Sequence, residues 1–230
     1  MMRGNELDFF LSVGYFRMQQ GIFTCRDVTF NGIRHSVLWL RVALTNVEYG
    51  PKQSRLLRVN DRFSVAVKPL VTISQEIQTL YAIYRNSLNF DAPNTVEDCL
   101  LGHVAYTTFD THVIEVRNND TLIAVGIFDN GERSIAGIMN FYHPDYHRHS
   151  LGKYLMLLKI NYAQRQQKEY YYPGYLVSNY PKFDYKLFPC EPATEVFDDA
   201  NGQWLPFSWG TITTLLANRI DEDSPGYSGS

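Results

Sequence analysis

Apolar positions along the chain switch between a helical spacing and a strand spacing, and the switches mark the elements. Leu7, Phe10 and Leu11 recur at helical spacing behind a cap at Asn5, with Gly14 as a stop. Runs at 15–18 and 22–26 flank a Gln19-Gln20-Gly21 turn, and Asn31-Gly32 marks a second reversal before the long apolar run 33–44. These segments predict a small antiparallel sheet. Over 54–67 the alternation is poor at first, and then Phe63, Val65 and Val67 share one strand face. Ser74 caps a predicted helix in which Ile77, Leu80, Tyr81 and Tyr84 repeat at i, i+3, i+4 and i+7, and a shorter helix is expected near Thr95. The stretch 87–94, rich in Asn, Asp and Pro, is expected to end a first lobe, 1–94.

The second half has a different pattern. Strand patterns at 112–117, 122–129 and 134–142 are separated by Asn118-Asn119-Asp120 and Asn130-Gly131, and they predict a meander. A loop rich in His, Pro and Asp leads to a helix at 151–165, whose Leu151, Leu155, Leu158 and Tyr162 line one stripe. A strand at 170–177 and a second helix at 179–187 follow. The expectation is an α+β catalytic domain over 95–219, then a disordered acidic tail over 220–230.

Composition narrows the class. Of 230 residues 45% are hydrophobic and 20% charged, an ordinary globular balance. No run approaches the roughly 18 apolar residues of a membrane span, since Arg41 interrupts the best candidate. The start, MMRGNELD, has no secretory pattern, so a cytoplasmic protein is expected. Three scattered cysteines, Cys25, Cys99 and Cys190, make neither a disulfide framework nor a CxxC zinc pair. Net charge is only −3, yet it hides a dipole. Between Arg17 and Lys68 nine basic residues face three acids, and from Glu191 onward seven acids face Arg219 alone. A basic first third is compatible with gripping RNA phosphates, or with strands that have one solvated face.

The order strand, loop, helix start, strand, helix resembles that of the acetyl-CoA-dependent N-acetyltransferase (GNAT) superfamily, where N–H groups before the central helix bind a pyrophosphate. The superfamily's spaced glycines are missing, because 148–153 supplies only Gly152. Coenzyme A is therefore not the expected donor, and no cofactor is expected. Phe141-Tyr142-His143-Pro144-Asp145, Ser150-Leu151-Gly152-Lys153-Tyr154, Gly174-Tyr175-Leu176-Val177 and Lys182-Phe183-Asp184-Tyr185-Lys186, read together, resemble the catalytic half of arginyl-tRNA–protein transferases. Leu7-Asp8, Gly14-Tyr15, Leu40-Arg41-Val42 and Gln53 through Asn60 extend the resemblance toward the start. Two departures stand out. Cys25 lacks the family's partner cysteines, and Tyr180 replaces a cysteine of the family pattern.

The resemblance implies an α+β fold, a small N-terminal α/β lobe plus a GNAT-like mixed sheet with packed helices. It also implies an enzyme that moves an amino acid, arginine by default or leucine, from its tRNA to proteins that begin with Asp or Glu, marking them for degradation. That reaction is aminolysis of an activated ester. It needs orientation, a deprotonated amine and support for an oxyanion, but no metal and no covalent nucleophile. The absence of a GxSxG element agrees with this.

The resemblance places the ester near Ser150 and Gly152, with Lys153 beside them, where free N–H groups of the helix start would hold a phosphate or the oxyanion. Otherwise Ser150 caps the helix and Gly152 permits close packing. Lys182 and Lys186 lie four apart on one expected helical face, with Tyr185 adjacent and Tyr175 on the preceding strand. This set would bind the acidic acceptor or the tRNA backbone, solvated lysines being the alternative. Tyr142 and Asp145 would orient the amine, unless Asp145 only makes a turn. Arg55, Arg58 and Asn60 are expected on the tRNA acceptor stem. His143, His147 and His149 lack the companions of a metal site, so no metal is expected. Of Tyr170-Tyr171-Tyr172 at least one ring belongs to the core, and another could stack on the terminal adenine. Two rival readings are a coenzyme-A-dependent N-acyltransferase and a catalytically silent RNA- or peptide-binding homologue.

Overall fold

The computed structural model describes residues 2–104 and 106–223, with side chains as far as Arg219. In chain order the elements are α1 (Asn5–Ser12), β1 (Phe16–Met18), β2 (Gly21–Phe23), β3 (Asp27–Phe30), β4 (Ile33–Ala43), α2 (Pro51–Asn60), β5 (Ser64–Pro69), α3 (Gln75–Asn86) and α4 (Val96–Leu100). Then come β6 (Thr111–Asn118), β7 (Thr121–Asn130), β8 (Ser134–Tyr142), α5 (Leu151–Arg165), β9 (Tyr170–Val177), β10 (Thr194–Asp198), β11 (Gln203–Pro206) and α6 (Trp209–Asp223).

Local chemistry explains many of the boundaries. Asn31 (φ 51°) and Gly32 (φ 76°) both occupy the left-handed region that a tight β3–β4 reversal needs. Ser74 accepts a hydrogen bond from the Ile77 N–H and starts α3, and Thr95 and Asp98 form a reciprocal capping box at α4. The helix α2, not recognised in the poor alternation at 54–62, begins with Pro51 at its first position behind Gly50. Gly4 rather than Asn5 caps α1. The expected helix at 179–187 is a 3-10 turn, Pro181–Leu187. The strands β10 and β11 and the helix α6 were not foreseen. The last of these runs through Asp223, past the expected start of the tail at 220, and residues 224–230 lie outside the described part of the chain.

Among the described residues one nine-stranded sheet runs β11-β10-β4-β9-β8-β7-β6-β5, with β3 added beside β4, while β1 and β2 form a separate hairpin. The β6–β7–β8 meander is antiparallel, and β8 joins β9 in parallel through the α5 crossover. This is the expected α+β mixed sheet with packed helices. The expected division at 94/95 does not coincide with a break in the sheet. β4 lies between β10 and β9, and β5 extends the meander at β6, so the first 94 residues contribute strands to the same sheet as the rest.

Alternation along β4 separates two layers. Leu38 and Leu40 pack with Ile212 and Leu215 of α6, and Val42 packs under α5. Val37 and Trp39 face the opposite side, where α1 and the hairpin lie. The helices α3 and α4 cover the meander through Ile77, Leu80, Val96 and Leu100. Helix α5 is buried well beyond its single stripe, with Tyr154, Met156, Leu157, Lys159 and Ile160 all enclosed. None of the described helices is long and apolar enough to cross a membrane.

Tertiary pairing consumes much of the charge dipole. Glu195 and Arg41 are register partners in β10 and β4 and form an ion pair, with the guanidinium also stacked 4.0 Å over Tyr170. Arg26 pairs with Asp199, Arg34 with Asp27 and Lys68 with Glu115. Two of these pairs, Arg41–Glu195 and Arg26–Asp199, join the basic first third to the acidic last part, and the cations left for a polyanion are fewer than the sequence suggests.

Arg17 pins the hairpin to the meander. Its guanidinium donates to Asp129 Oδ1 at 2.6 Å, Thr111 Oγ1 at 2.8 Å and the Leu100 carbonyl at 2.7 Å, and the Arg17 and Asp129 side chains are 2% and 0% exposed. Burial pushes the Asp129 carboxyl up to about 6, with Arg17 and Thr111 pulling it back. Breaking such a pair leaves a buried, uncompensated charge. Arg17→Met should lower the unfolding free energy by about 3 to 5 kcal/mol, and adding Asp129→Asn should restore part of it. Urea unfolding of the two variants and the double variant measures this, and a loss below about 1 kcal/mol for Arg17→Met alone contradicts it.

Candidate active site

The site follows from an interruption in the sheet. Parallel strands β8 and β9 pair only through Ser134–Tyr170, Ile135–Tyr171 and Ala136–Tyr172. A register shift between Ile127 and Phe128 leaves Ile138 as the extra residue of β8, and another lies between Leu40 and Val42 opposite β9. Pro173 offers no N–H for continued pairing, and Gly174 has φ +100°. Gly137 is needed where the strands part, because a Cβ there would lie 2.9 Å from the Tyr171 hydroxyl. The strands diverge beyond this point, an inner cavity opens between them, and an outer groove adjoins it.

The inner cavity has a volume of about 460 Å³. Phe16, Trp39, Met139 and Met156 give it apolar walls, while Arg17, Lys159 and Lys186 also line it. The outer groove, about 1250 Å³, is rich in aromatic rings, including Phe30, Tyr84, Phe90, Tyr142, Tyr180 and Phe183. Lys153, Lys182 and His147 also line it. Both cavities are lined by Asn140 and Tyr185, which therefore mark their junction.

Ser150 and Gly152 reach the outer groove at the start of α5. Ser150 takes a left-handed conformation (φ 49°, ψ 44°), and its side chain makes no capping bond, so the side-chain cap expected as the alternative is not made. The N–H groups of Leu151, Gly152 and Lys153 at the start of α5 have no protein acceptor among the described residues. A Cβ on Gly152 would meet the Tyr142 ring at 3.4 Å, an ordinary contact, so close packing does not demand glycine there. Tyr142 lines the groove beside Tyr84, with ring centroids 5.4 Å apart.

Lys182 and Lys186 do not share a face. A 3-10 turn has about three residues per revolution, so positions four apart diverge. Lys182 is exposed, with Nζ 3.3 Å from the centre of the Phe90 ring in the outer groove. Lys186 is buried, donates to the Tyr175 carbonyl at 2.7 Å and lies 4.6 Å from the centres of both the Tyr175 and Phe183 rings. With no carboxylate beside it among the described residues, burial pushes its ammonium down to about 7. Tyr175 stacks on Phe183 and meets Trp39 edge-on, and burial raises its hydroxyl pKa. Exposed Lys153 sits 4.8 Å over Phe188.

Four expected residues lie elsewhere. Asn60 is completely buried and donates to the Leu56 and His149 carbonyls, while its Oδ1 meets His149 Nδ1 at 3.0 Å. It ties α2 to the loop before α5 and cannot touch an acceptor stem. Asp145 has an 85% exposed side chain 3.7 Å from His143 Nδ1 and lines neither cavity, so it does not orient an amine there. Arg55 and Arg58 are exposed on α2, outside both cavities. The loop histidines point to different partners, His147 to the Pro144 carbonyl and His149 to Asn60. No group of three or more potential metal ligands converges among the described residues.

Sequence reasoning missed Lys159 and Asn140. Lys159, 1% exposed, donates to the Ile127 carbonyl at 2.8 Å, the Met139 carbonyl at 3.1 Å and Asn140 Oδ1 at 2.9 Å. Burial pushes its ammonium down to about 7, with Asp129 opposing the shift. A signal was present, because Lys159 falls four residues after Leu155 on the apolar stripe of α5, where a cation must find buried acceptors.

Comparison with known proteins places this geometry. The family model described as "Arginine-tRNA-protein transferase, C terminus" matches residues 76–188. An aspartate/glutamate leucyltransferase of Saccharophagus degradans is 31% identical over 171 residues, 73% of this chain and 70% of that protein. One from Shewanella sp. (strain MR-4) is 28% identical over 185 residues, covering 78% and 74%. Among solved structures, the C-terminal domain of a putative lysylphosphatidylglycerol synthetase from Agrobacterium fabrum shares the fold with TM-score 0.52 at 15% identity, over 84% of this chain and 67% of that one.

The two buried lysines set a pH dependence. Each has its folded pKa near 7, below the ordinary 10.5, so the unfolded chain binds more protons between those values and stability rises with pH. The part-buried thiols of Cys25 and Cys99 and buried tyrosines such as Tyr171, raised from 9.0 and 10.0, act with the opposite sign at higher pH. The unfolding free energy should therefore climb from about pH 7 to 9, with a shallower climb in Lys186→Met. Urea titrations at stepped pH test this, and a flat profile across that window would contradict it.

Proposed function

The chain belongs to the arginine-tRNA-protein transferase family and is an aminoacyltransferase, and from that premise we propose that it moves leucine from its tRNA to the α-amino group of proteins that begin with Asp or Glu. The observation that carries the reading is the pair of cavities that meet at Asn140 and Tyr185. A donor whose 3′ nucleotides lie in the outer groove and whose aminoacyl side chain enters the inner cavity presents its ester where the two spaces join. The aromatic outer groove, with Lys153, Lys182 and the free N–H groups of α5, suits the unpaired 3′ nucleotides of a tRNA, since rings stack on bases and cations meet phosphates. Lys182, exposed in the outer groove, offers a partner for the carboxylate of an acidic first residue.

The inner cavity favours leucine over the arginine default. Its walls of Phe16, Trp39, Met139 and Met156 fit an aliphatic side chain, whereas a guanidinium there would be buried beside Arg17, Lys159 and Lys186. The names of the two relatives, aspartate/glutamate leucyltransferases, support the same choice. Aminolysis of the ester needs no cofactor, and the leucine added would mark the acceptor for degradation.

Incubation of the purified protein with tRNAs charged with labelled leucine or arginine, and with peptides beginning with Asp, Glu, Lys or Arg, tests the reading. Leucine should pass to the Asp and Glu peptides alone. Transfer from arginyl-tRNA only would overturn the donor assignment. Transfer from no charged tRNA, with acetyl transfer from coenzyme A instead, would overturn the function. We further propose that exposed Arg55 and Arg58 contact acceptor-stem phosphates. Replacing both by Ala should weaken tRNA binding and reduce the slope of log K against log salt by about 2, whereas an unchanged slope removes them from the interface.

A further inference from the structure

We propose that Asn140 is a catalytic residue whose side-chain N–H stabilises the oxyanion of the tetrahedral intermediate, and that buried Lys159 is the positioning residue that aims it. The inference rests on the aminoacyl-transfer reading and adds the group that supports the transition state. Asn140 lines both cavities, at the junction where ester and amine must meet.

Its orientation follows from the chemistry of its neighbour. In its protonated form, the main one below about pH 7, Lys159 has three donors and no acceptor, and it directs all three inward, to the Ile127 and Met139 carbonyls and to Asn140. The Asn140 atom facing Nζ must therefore be Oδ1, which forces Nδ2 to the other side of the amide. No protein acceptor takes Nδ2 among the described residues, whereas Oδ1 is held at 2.9 Å. The amide is thus fixed at one end by a buried ion and keeps a free donor at the other. An oxyanion site requires such a donor, fixed before the reaction so that no reorganisation is needed as charge develops.

The surroundings limit the alternatives. From β7 the Gly126 backbone lies beneath Oδ1, which would be 3.2 Å from a Cβ at that position, so a larger residue at 126 would disturb the amide. Across the inner cavity stand Arg17, with four of its five N–H donors given to Asp129, Thr111 and two carbonyls, and Lys186, bonded to the Tyr175 carbonyl. In the reaction the neutral amine nitrogen attacks the ester carbonyl carbon, and the π pair moves to the carbonyl oxygen, where Nδ2–H meets it. When the carbon–oxygen double bond re-forms, the bond to the terminal ribose oxygen breaks. That oxygen takes up the proton shed by the nitrogen, leaving an amide and a tRNA with a free hydroxyl.

Asn140→Asp is the informative variant, because a carboxylate keeps an acceptor for Lys159 but carries no N–H. With leucyl-tRNA and an Asp-initiated peptide, its kcat should fall about 100-fold or more, with the KM for leucyl-tRNA within about twofold of the original. Lys159→Met frees the amide to rotate and should lower kcat rather than raise KM. Lys159→Gln, whose amide can still donate to Oδ1, should recover part of the loss. If Lys159→Met does not fold, Asn140→Asp carries the test alone. A kcat for Asn140→Asp within threefold of the original, or a loss confined to KM, would overturn the inference while leaving the transfer function standing. An unaltered protein that moves no amino acid from any charged tRNA would overturn both.

Discussion

The structure depends on a parallel strand pair that stops pairing. In the interior of a sheet, backbone groups normally find partners in both neighbours, and leaving them open there is costly. Here β8 and β9 pair over three residues and then separate, so an internal gap replaces what would be continuous sheet. The cost is met by specific devices. Pro173 has no donor to lose, the bulge at Ile138 turns the strand, and the Lys159 ammonium takes up the carbonyls of Ile127 and Met139 beside that bulge. A cation placed in the apolar heart of α5 is thus part of what allows the sheet to open.

The same economy governs charge. The segments with opposite surplus are far apart in sequence but adjacent in space, because β10 returns to pair with β4 and brings Glu195 to Arg41. Five of the nine cations of the first third, Arg17, Arg26, Arg34, Arg41 and Lys68, are committed to ion pairs within the protein. The cations open to a polyanion are local. Lys153 and Lys182 lie among the aromatic rings of the outer groove, and Arg55 and Arg58 lie on the outer side of α2. This division separates a region suited to unpaired bases from one suited to phosphates alone.

The buried cations also connect stability with chemistry. Arg17, Lys159 and Lys186 each bring charge to the inner cavity, yet they are held differently: by a carboxylate, by three neutral oxygens, and by one carbonyl with aromatic faces. The first fastens the amino-terminal hairpin to the meander. The second shapes the opening and orients an amide, and the third retains donors for a ligand. Desolvation tolerable for structure thereby gives the site its electrostatic character.

Local sequence determined the meander, the capped helices α3 and α4, the extent of α5 and the strand β9, because periodicity and turn chemistry act over a few residues. The same local reading, with the family resemblance, pointed to Tyr142, Ser150, Gly152, Tyr175, Lys182, Tyr185 and Lys186, and all of these line one or both cavities. The tertiary structure alone decided the rest. The insertion of β4 between β9 and β10 depends on pairings between distant segments, which abolish the apparent lobe boundary. The burial of Asn60, the outward position of Asp145 and the divergence of Lys182 from Lys186 depend on what packs around each residue, or on a 3-10 twist that a spacing of four does not reveal. The pairing of Lys159 with Asn140 joins residues on different elements, and only the folded chain brings an ammonium with no acceptor against an amide that must then turn its oxygen toward it.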